Sequence, residues 1–215
     1  MNQRQASKER SRQAIIRAAA LQFAHHGYGG ASFGSIAASM NKPKSAIGYH
    51  LFHSKHELAA AVVEAQDARW VELGASIEEP AGLEHLITML LSSCIDAARY
   101  PITPGAVRLI HESVHSERLT QRAYSWRAFT RLQLSSARGA VAEEKEIAYT
   151  ADLVLSATFG VMWAGGYKPH HAPDTVPRLR QIWTAILMSA DFRHASEIVS
   201  RSVPLEAVSA PYVSP

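Results

Sequence analysis

Apolar side chains recur at helical spacing along nearly the whole chain, and this periodicity limits what it can fold into more than any other feature. In ERSRQAIIRAAALQFAHHGY, Ile15, Ile16, Ala19, Ala20 and Phe23 share one helix face, and Gly27 stops the pattern, which predicts a first helix over 8–26. Ser32 is a good N-cap for FGSIAASM, a second, two-turn helix with Ile36 and Ala37 facing inward. Asn41 and Lys42 make a tight turn, and Pro43 suits the first position of a third short helix, KSAIGYHLF, in which Ala46, Ile47 and Leu51 are available to pack. Ser54 and Glu57 read S-x-x-E, a capping box that opens a long helix through Ala75.

The body continues in the same way. Pro80 opens LEHLITMLLSSCIDAARY, Thr103 with Pro104 caps GAVRLIHESV, and Thr120 caps a helix running through YSWRAFTRLQL. EIAYTADLVLSATFGVMWAGG ends at a double glycine, Asp174 starts TVPRLRQIWTAILMSA, and a short helix leads to a proline-rich tail. With little sign of a strand, the expected fold class is all-α: a three-helix N-terminal domain over 1–55, a helical domain over 56–203 and a tail over 204–215.

The segment YHLFHSKH spaces His50, His53 and His56 at intervals of three, which on one unbroken helix would suit a metal ion. The capping box at Ser54 starts a new helix between them, so no metal site is expected there. Cys94, the one cysteine, cannot form an internal disulfide and falls in the apolar run LLSSCIDAA, as a small buried thiol would. The apolar windows LITMLLSS and ADLVLSATFGVMW are shorter than a bilayer span and no signal segment opens the chain, so the expected location is the cytoplasm, with no membrane partner.

Net charge is only +3, but its distribution is uneven. Residues 1–60 hold eight Lys or Arg against Glu9 and Glu57, whereas the remainder holds 14 against 17. A basic first quarter on a mildly acidic body points to a polyanion at the N-terminal end. The predicted short helix, turn and short helix form a helix-turn-helix, whose outer face offers Lys42, Lys44, Ser45, Tyr49 and His50 to double-stranded DNA. Lys and Tyr can reach phosphates, and Ser or His can reach base edges.

These residues also carry a family likeness. The helix ending in FAHHGY, then S-F-x-x-I-A, then Tyr49, Phe52, Lys55 and Leu58 in Y-x-x-F-x-x-K-x-x-L, resemble the TetR family of one-component transcriptional repressors over about the first 65 residues. The resemblance implies a third helix in the major groove, phosphate contacts from Tyr49 and Lys55, and Phe52 in the core. VVEAQ, GAVRLIHE, the tryptophan of YSWRAF, and SATFG are similar to the γ-butyrolactone-receptor branch of actinobacteria. That branch implies a small signal molecule held beneath Trp126, with polar contacts from Gln66 and Thr158.

On the residues themselves, two readings stand for each of these. Trp126 is a flat apolar wall with one donor or a core residue, and Thr158 is a ligand contact or bonds its own helix. Leu86 and Met89 suit a pocket lining. Residues 153–163 and LRQIWTAILM are apolar on nearly every side, so each needs a cover, either within one domain or from a second copy in a homodimer. No Walker loop and no glycine fingerprint is present, so no catalytic residue, enzyme activity or cofactor is expected. The expected function is a repressor that binds a pseudo-palindromic operator as a dimer and leaves it on binding a butyrolactone, butenolide or furan-type inducer, controlling antibiotic or secondary-metabolite genes. The alternative is a repressor of similar shape that senses another apolar ligand and controls efflux or catabolism.

Overall fold

Two serines that the sequence advertises as caps, Ser32 and Ser54, fix the start of two helices. The computed structural model describes residues 3–43, 45, 47, 51–112, 124–139, 143–164 and 172–205, and among these there are nine helices and no strand. They are α1 (Gln3–Gly30), α2 (Phe33–Ser39), α3 (Lys55–Ala75), α4 (Leu83–Arg99), α5 (Thr103–Glu112), α6 (Trp126–Arg138), α7 (Glu144–Ala164), α8 (Ala172–Ser189) and α9 (Ala195–Arg201). The path of α1 breaks at Gly27, whose φ of 67° is open to glycine at little cost. Ser32 caps α2 through the Ser35 N–H at 3.1 Å, and Ser35 returns the bond to the Ser32 N–H. Ser54 accepts the Glu57 N–H at 3.0 Å, so α3 starts as expected. The Glu57 carboxylate reaches back one residue further than a capping box requires, to the His53 N–H at 2.7 Å.

Several starts differ from expectation. The first helix runs from Gln3 to Gly30 and not over 8–26, although its path still breaks at Gly27. Tyr124 and Ser125 are not helical, and Ser125 accepts the Ala128 N–H, so α6 begins there and not at Thr120, which lies outside the described residues. Thr103 is the first residue of α5, and its hydroxyl turns away from the helix to donate to Gln66 Oε1 at 2.7 Å. The predicted third helix lies largely outside the described residues, but Ile47 and Phe52 are buried as expected.

The chain divides into two units, Met1–Arg69 with Tyr100–Ala123, and Trp70–Arg99 with Tyr124–Pro215. In this division α5 goes with the N-terminal helices and not with the chain that follows residue 55. The reason is a contact between backbones: a Cβ on Gly105 would lie 2.1 Å from the Ala20 carbonyl oxygen, so only glycine lets α5 seat on α1. Ile16, Phe23, Ile36, Leu58, Ala106 and Leu109 fill the core beneath that crossing. Arg108 donates to the Ala24 carbonyl and to Glu112, and Glu112 accepts the Tyr28 N–H at 2.8 Å, which ties the kinked end of α1 to α5. Partial burial would raise the Glu112 pKa, but the Tyr28 N–H and Arg108 together hold it below the usual value.

In the second unit α4 packs on α6, α8 and α9, and α7 packs between α6 and α8. Leu86, Met89, Leu134, Val154, Trp183 and Leu187 are buried there. By length and composition alone α7 would cross a bilayer, a correction to the shorter apolar window read from the sequence, but one face packs in this unit and Arg127 and Arg138 pair with its Asp152 and Glu146. Cys94 is buried, which pushes its thiol up to about 12 and keeps it protonated and unreactive. The expected tail is still attached at its start, where the Leu205 N–H donates to Ser92 Oγ at 3.0 Å, and residues 206–215 lie outside the described residues.

Gly105→Ala tests the crossing. Alanine favours a helix by about 1 kcal/mol over glycine, so any loss is steric. Urea unfolding is expected to show a net destabilisation of about 1–3 kcal/mol, as overpacking costs.

Candidate nucleic-acid interface and ligand site

The first unit presents α2 and the segment after it. Asn41 turns the chain with φ 53°, and Lys42 and Ser45 are exposed. Lys44, Tyr49 and His50 lie outside the described residues. Lys55 is half-buried, and its ammonium donates to the carbonyls of Tyr28 at 2.8 Å and Ala31 at 3.1 Å while lying 4.5 Å from the Tyr28 ring centroid. Two of its three donors are therefore spent on the corner between α1 and α2, a site where a cation satisfies carbonyls that the helix leaves open. His53 is engaged by Glu57, whose pKa the His53 backbone N–H lowers. Among the described residues no group of three His, Cys, Asp or Glu is placed to hold a metal ion.

Gln66 is also in this unit and is 1% exposed. Its Oε1 takes the Thr103 hydroxyl, while its Nε2 is buried without a hydrogen-bond partner.

The second unit holds an aromatic cluster centred on Trp126, the first residue of α6. Its ring meets Trp70, Tyr124, Phe129 and Phe159 edge-on, with centroids 5.3 to 6.1 Å apart. Three polar atoms in and beside this cluster, Tyr124 Oη, Trp126 Nε1 and Thr130 Oγ1, are buried and unpartnered. Burial also raises the Tyr124 pKa, so its phenol keeps its proton as a donor. Thr158 has a different environment: its hydroxyl donates to the Val154 carbonyl at 2.7 Å and accepts the Trp183 indole N–H at 2.8 Å, tying α7 to α8. Leu86 and Met89 are fully buried on α4.

No family model and no curated relative matches the sequence. Solved structures do. A protein described in work on how a bacterial hormone controls antibiotic production is 26% identical, with a TM-score of 0.64 over 84% of this chain and 97% of that one. A γ-butyrolactone receptor described as ArpA-like is 20% identical, with a TM-score of 0.70 over 91% and 97%. CprB from S. coelicolor A3(2), a TetR family protein, is 20% identical, with a TM-score of 0.67 over 91% and 99%. The chain has the TetR-family fold. It shares that all-helical fold with regulators that include γ-butyrolactone receptors.

Two patterns associated with catalysis do occur in the sequence, contrary to the expectation of no catalytic motif, and their described residues are engaged elsewhere. Gly30–Gly34 reads G-x-S-x-G, but it joins two helices and not a strand to a helix, and its Ser32 hydroxyl is the α2 cap. His111–His115 reads H-E-x-x-H, yet its Glu112 carboxylate is committed to Tyr28 and Arg108, and His115 lies outside the described residues. The sequence reading missed Tyr124 and Thr130. A polar residue beside a tryptophan near a helix start was the available signal, and it is too common to single them out.

The Lys55 geometry makes a checkable statement about stability. Lys55→Met keeps the aliphatic stem and removes both charge-assisted bonds, so unfolding free energy is expected to fall by about 1.5–3 kcal/mol. Unchanged stability in urea would mean that the ammonium is not held at this corner in solution.

Proposed function

We propose that this chain is a cytoplasmic, ligand-responsive transcriptional repressor that binds a pseudo-palindromic operator as a homodimer and is released by a small signalling molecule. The inducer is a butyrolactone, butenolide or furan-type compound, and the genes controlled serve antibiotic or other secondary metabolism. The observation that carries the ligand reading is the set of buried, unpartnered polar atoms at Tyr124, Trp126 and Thr130. Buried polar groups are nearly always hydrogen-bonded, so three together beside aromatic walls suit a small apolar molecule with a few oxygen atoms. Gln66, which the sequence reading offered as a ligand contact, lies in the first unit and has its Nε2 donor without a partner. Lys42, Lys44, Ser45, Tyr49 and His50 are the proposed DNA contacts, with Lys55 supporting them through the α1–α2 corner. The helix α3 carries Trp70, a ring neighbour of Trp126, in its C-terminal part, so a ligand held at Trp126 is in reach of α3.

Binding of the purified protein to genomic fragments, and release by extract of the source organism, tests the whole reading. Tyr124→Phe tests the site. Without ligand the variant is expected to be more stable than the wild type, since it removes a buried unsatisfied hydroxyl, yet to need about 2- to 12-fold more inducer for release, the worth of one hydrogen bond. A purely structural Tyr124 would instead give a variant with an unchanged inducer response.

The dimer reading rests on an exposed stripe. Tyr149, Leu153, Ser156, Gly160 and Trp163 follow at spacings of three and four on α7, and Gln181, Ala185 and Met188 do so on α8. Large apolar side chains beside small ones suit close helix packing against a second copy. Leu153→Arg with Met188→Glu is expected to give a folded monomer in sedimentation, because both residues are exposed within the chain, whereas a charge at buried Leu155 would unfold it.

A further inference from the structure

The first three turns of α1 stand outside the core. From residue 3 to residue 14 not one side chain is buried, and the core begins only at Ile15. This is about 18 Å of helix with little packing of its own, and helices so short are marginal in water. Its charges do not help it. Arg4, Lys8 and Arg12 recur every four residues along one stripe, where like charges repel. Arg10 adds a fourth cation, and the one acidic residue, Glu9, accepts from Gln13 Nε2 at 2.8 Å.

The stretch also lacks any large apolar residue, so it has no face to lay into a bilayer or an apolar groove. What suits it is a polyanion. The geometry at its base says where that polyanion lies. The Arg12 guanidinium sits 5.3 Å from the ring centroid of Phe52, the buried residue that closes the segment proposed above to read the operator. The arm therefore leaves the first unit beside that segment.

We propose that residues 3–12 form a second DNA-contacting arm, which lays Arg4, Lys8 and Arg10 on backbone phosphates flanking the half-site. This rests on the DNA-binding reading above. An α-helix about 10–12 Å across does not enter a minor groove about 6 Å wide, so the contact is to phosphates and is independent of sequence. Arg12 holds the base of the arm against Phe52.

The test is the triple variant Arg4→Ala, Lys8→Ala, Arg10→Ala. Alanine favours the helix and the three sites are exposed, so thermal unfolding is expected to match the wild type. Affinity is expected to fall for operator and unrelated duplexes alike, with the slope of log K against log salt shallower by roughly 0.9 for each phosphate that the variant no longer neutralises. Extending an operator duplex by about ten base pairs on each side, one helical turn, is expected to strengthen wild-type binding and not that of the variant. Wild-type affinity and slope in the triple variant, while Lys44→Ala loses binding, would overturn the arm and leave the DNA reading in place. A wild-type chain that binds no duplex would overturn both.

Discussion

Two helix backbones in contact cannot move independently, and the seat of Gly105 on Ala20 makes the first unit depend on one missing side chain. Once α5 lies there, Arg108 and Glu112 are in reach of Ala24 and Tyr28, and the kink at Gly27 is held from one side. Gly27 is glycine for another reason: a Cβ there would meet only the movable ends of the Glu112 and Arg108 side chains, but the backbone φ of 67° is one that other residues rarely adopt. From the other side, Lys55 binds the carbonyls of Tyr28 and Ala31. The corner that leads into α2 is thus fixed by α3 and α5 together, and Thr103 joins those two helices again through Gln66.

This arrangement explains which parts of the fold were legible in the sequence. Gly27, Ser32 and Ser54 act on residues within four positions of themselves, so their roles follow from local rules, and all three hold. Thr103 has the composition of a cap, but its partner is 37 residues away, and no local pattern reveals that. The same is true of α5 as a whole. Its amphipathic spacing predicts a helix correctly, while the unit it joins is decided by Gly105 meeting Ala20, a steric fact of tertiary structure. Lys55 belongs with these cases: sequence pattern singles the residue out, and only the end of α1 shows what its ammonium bonds.

The proposed DNA surface and the proposed ligand site differ in the same respect. A basic first quarter is visible as composition, since charge needs no partner within the chain to be counted. A ligand site is defined by what the fold leaves undone. Tyr124 and Thr130 carry no special spacing, and they stand out only once burial and the missing partners are known.

Two tryptophans make that contrast concrete. Trp183 is fully buried, and its indole N–H is met by Thr158, whose own proton returns to the Val154 carbonyl, so each of these donors has an acceptor. Trp126 is nearly as buried and has four aromatic neighbours, yet its indole N–H is unmet. A desolvated donor without a partner costs about 1–3 kcal/mol, a penalty that one nearby hydroxyl removes at Trp183. The second unit thus satisfies the Trp183 indole from within its own helices. It leaves the Trp126 indole unsatisfied beside the Tyr124 phenol, with the Thr130 hydroxyl one turn further along α6 and Ser93 and Arg131 also holding an unpartnered atom, and strain of that kind concentrates where a protein binds something.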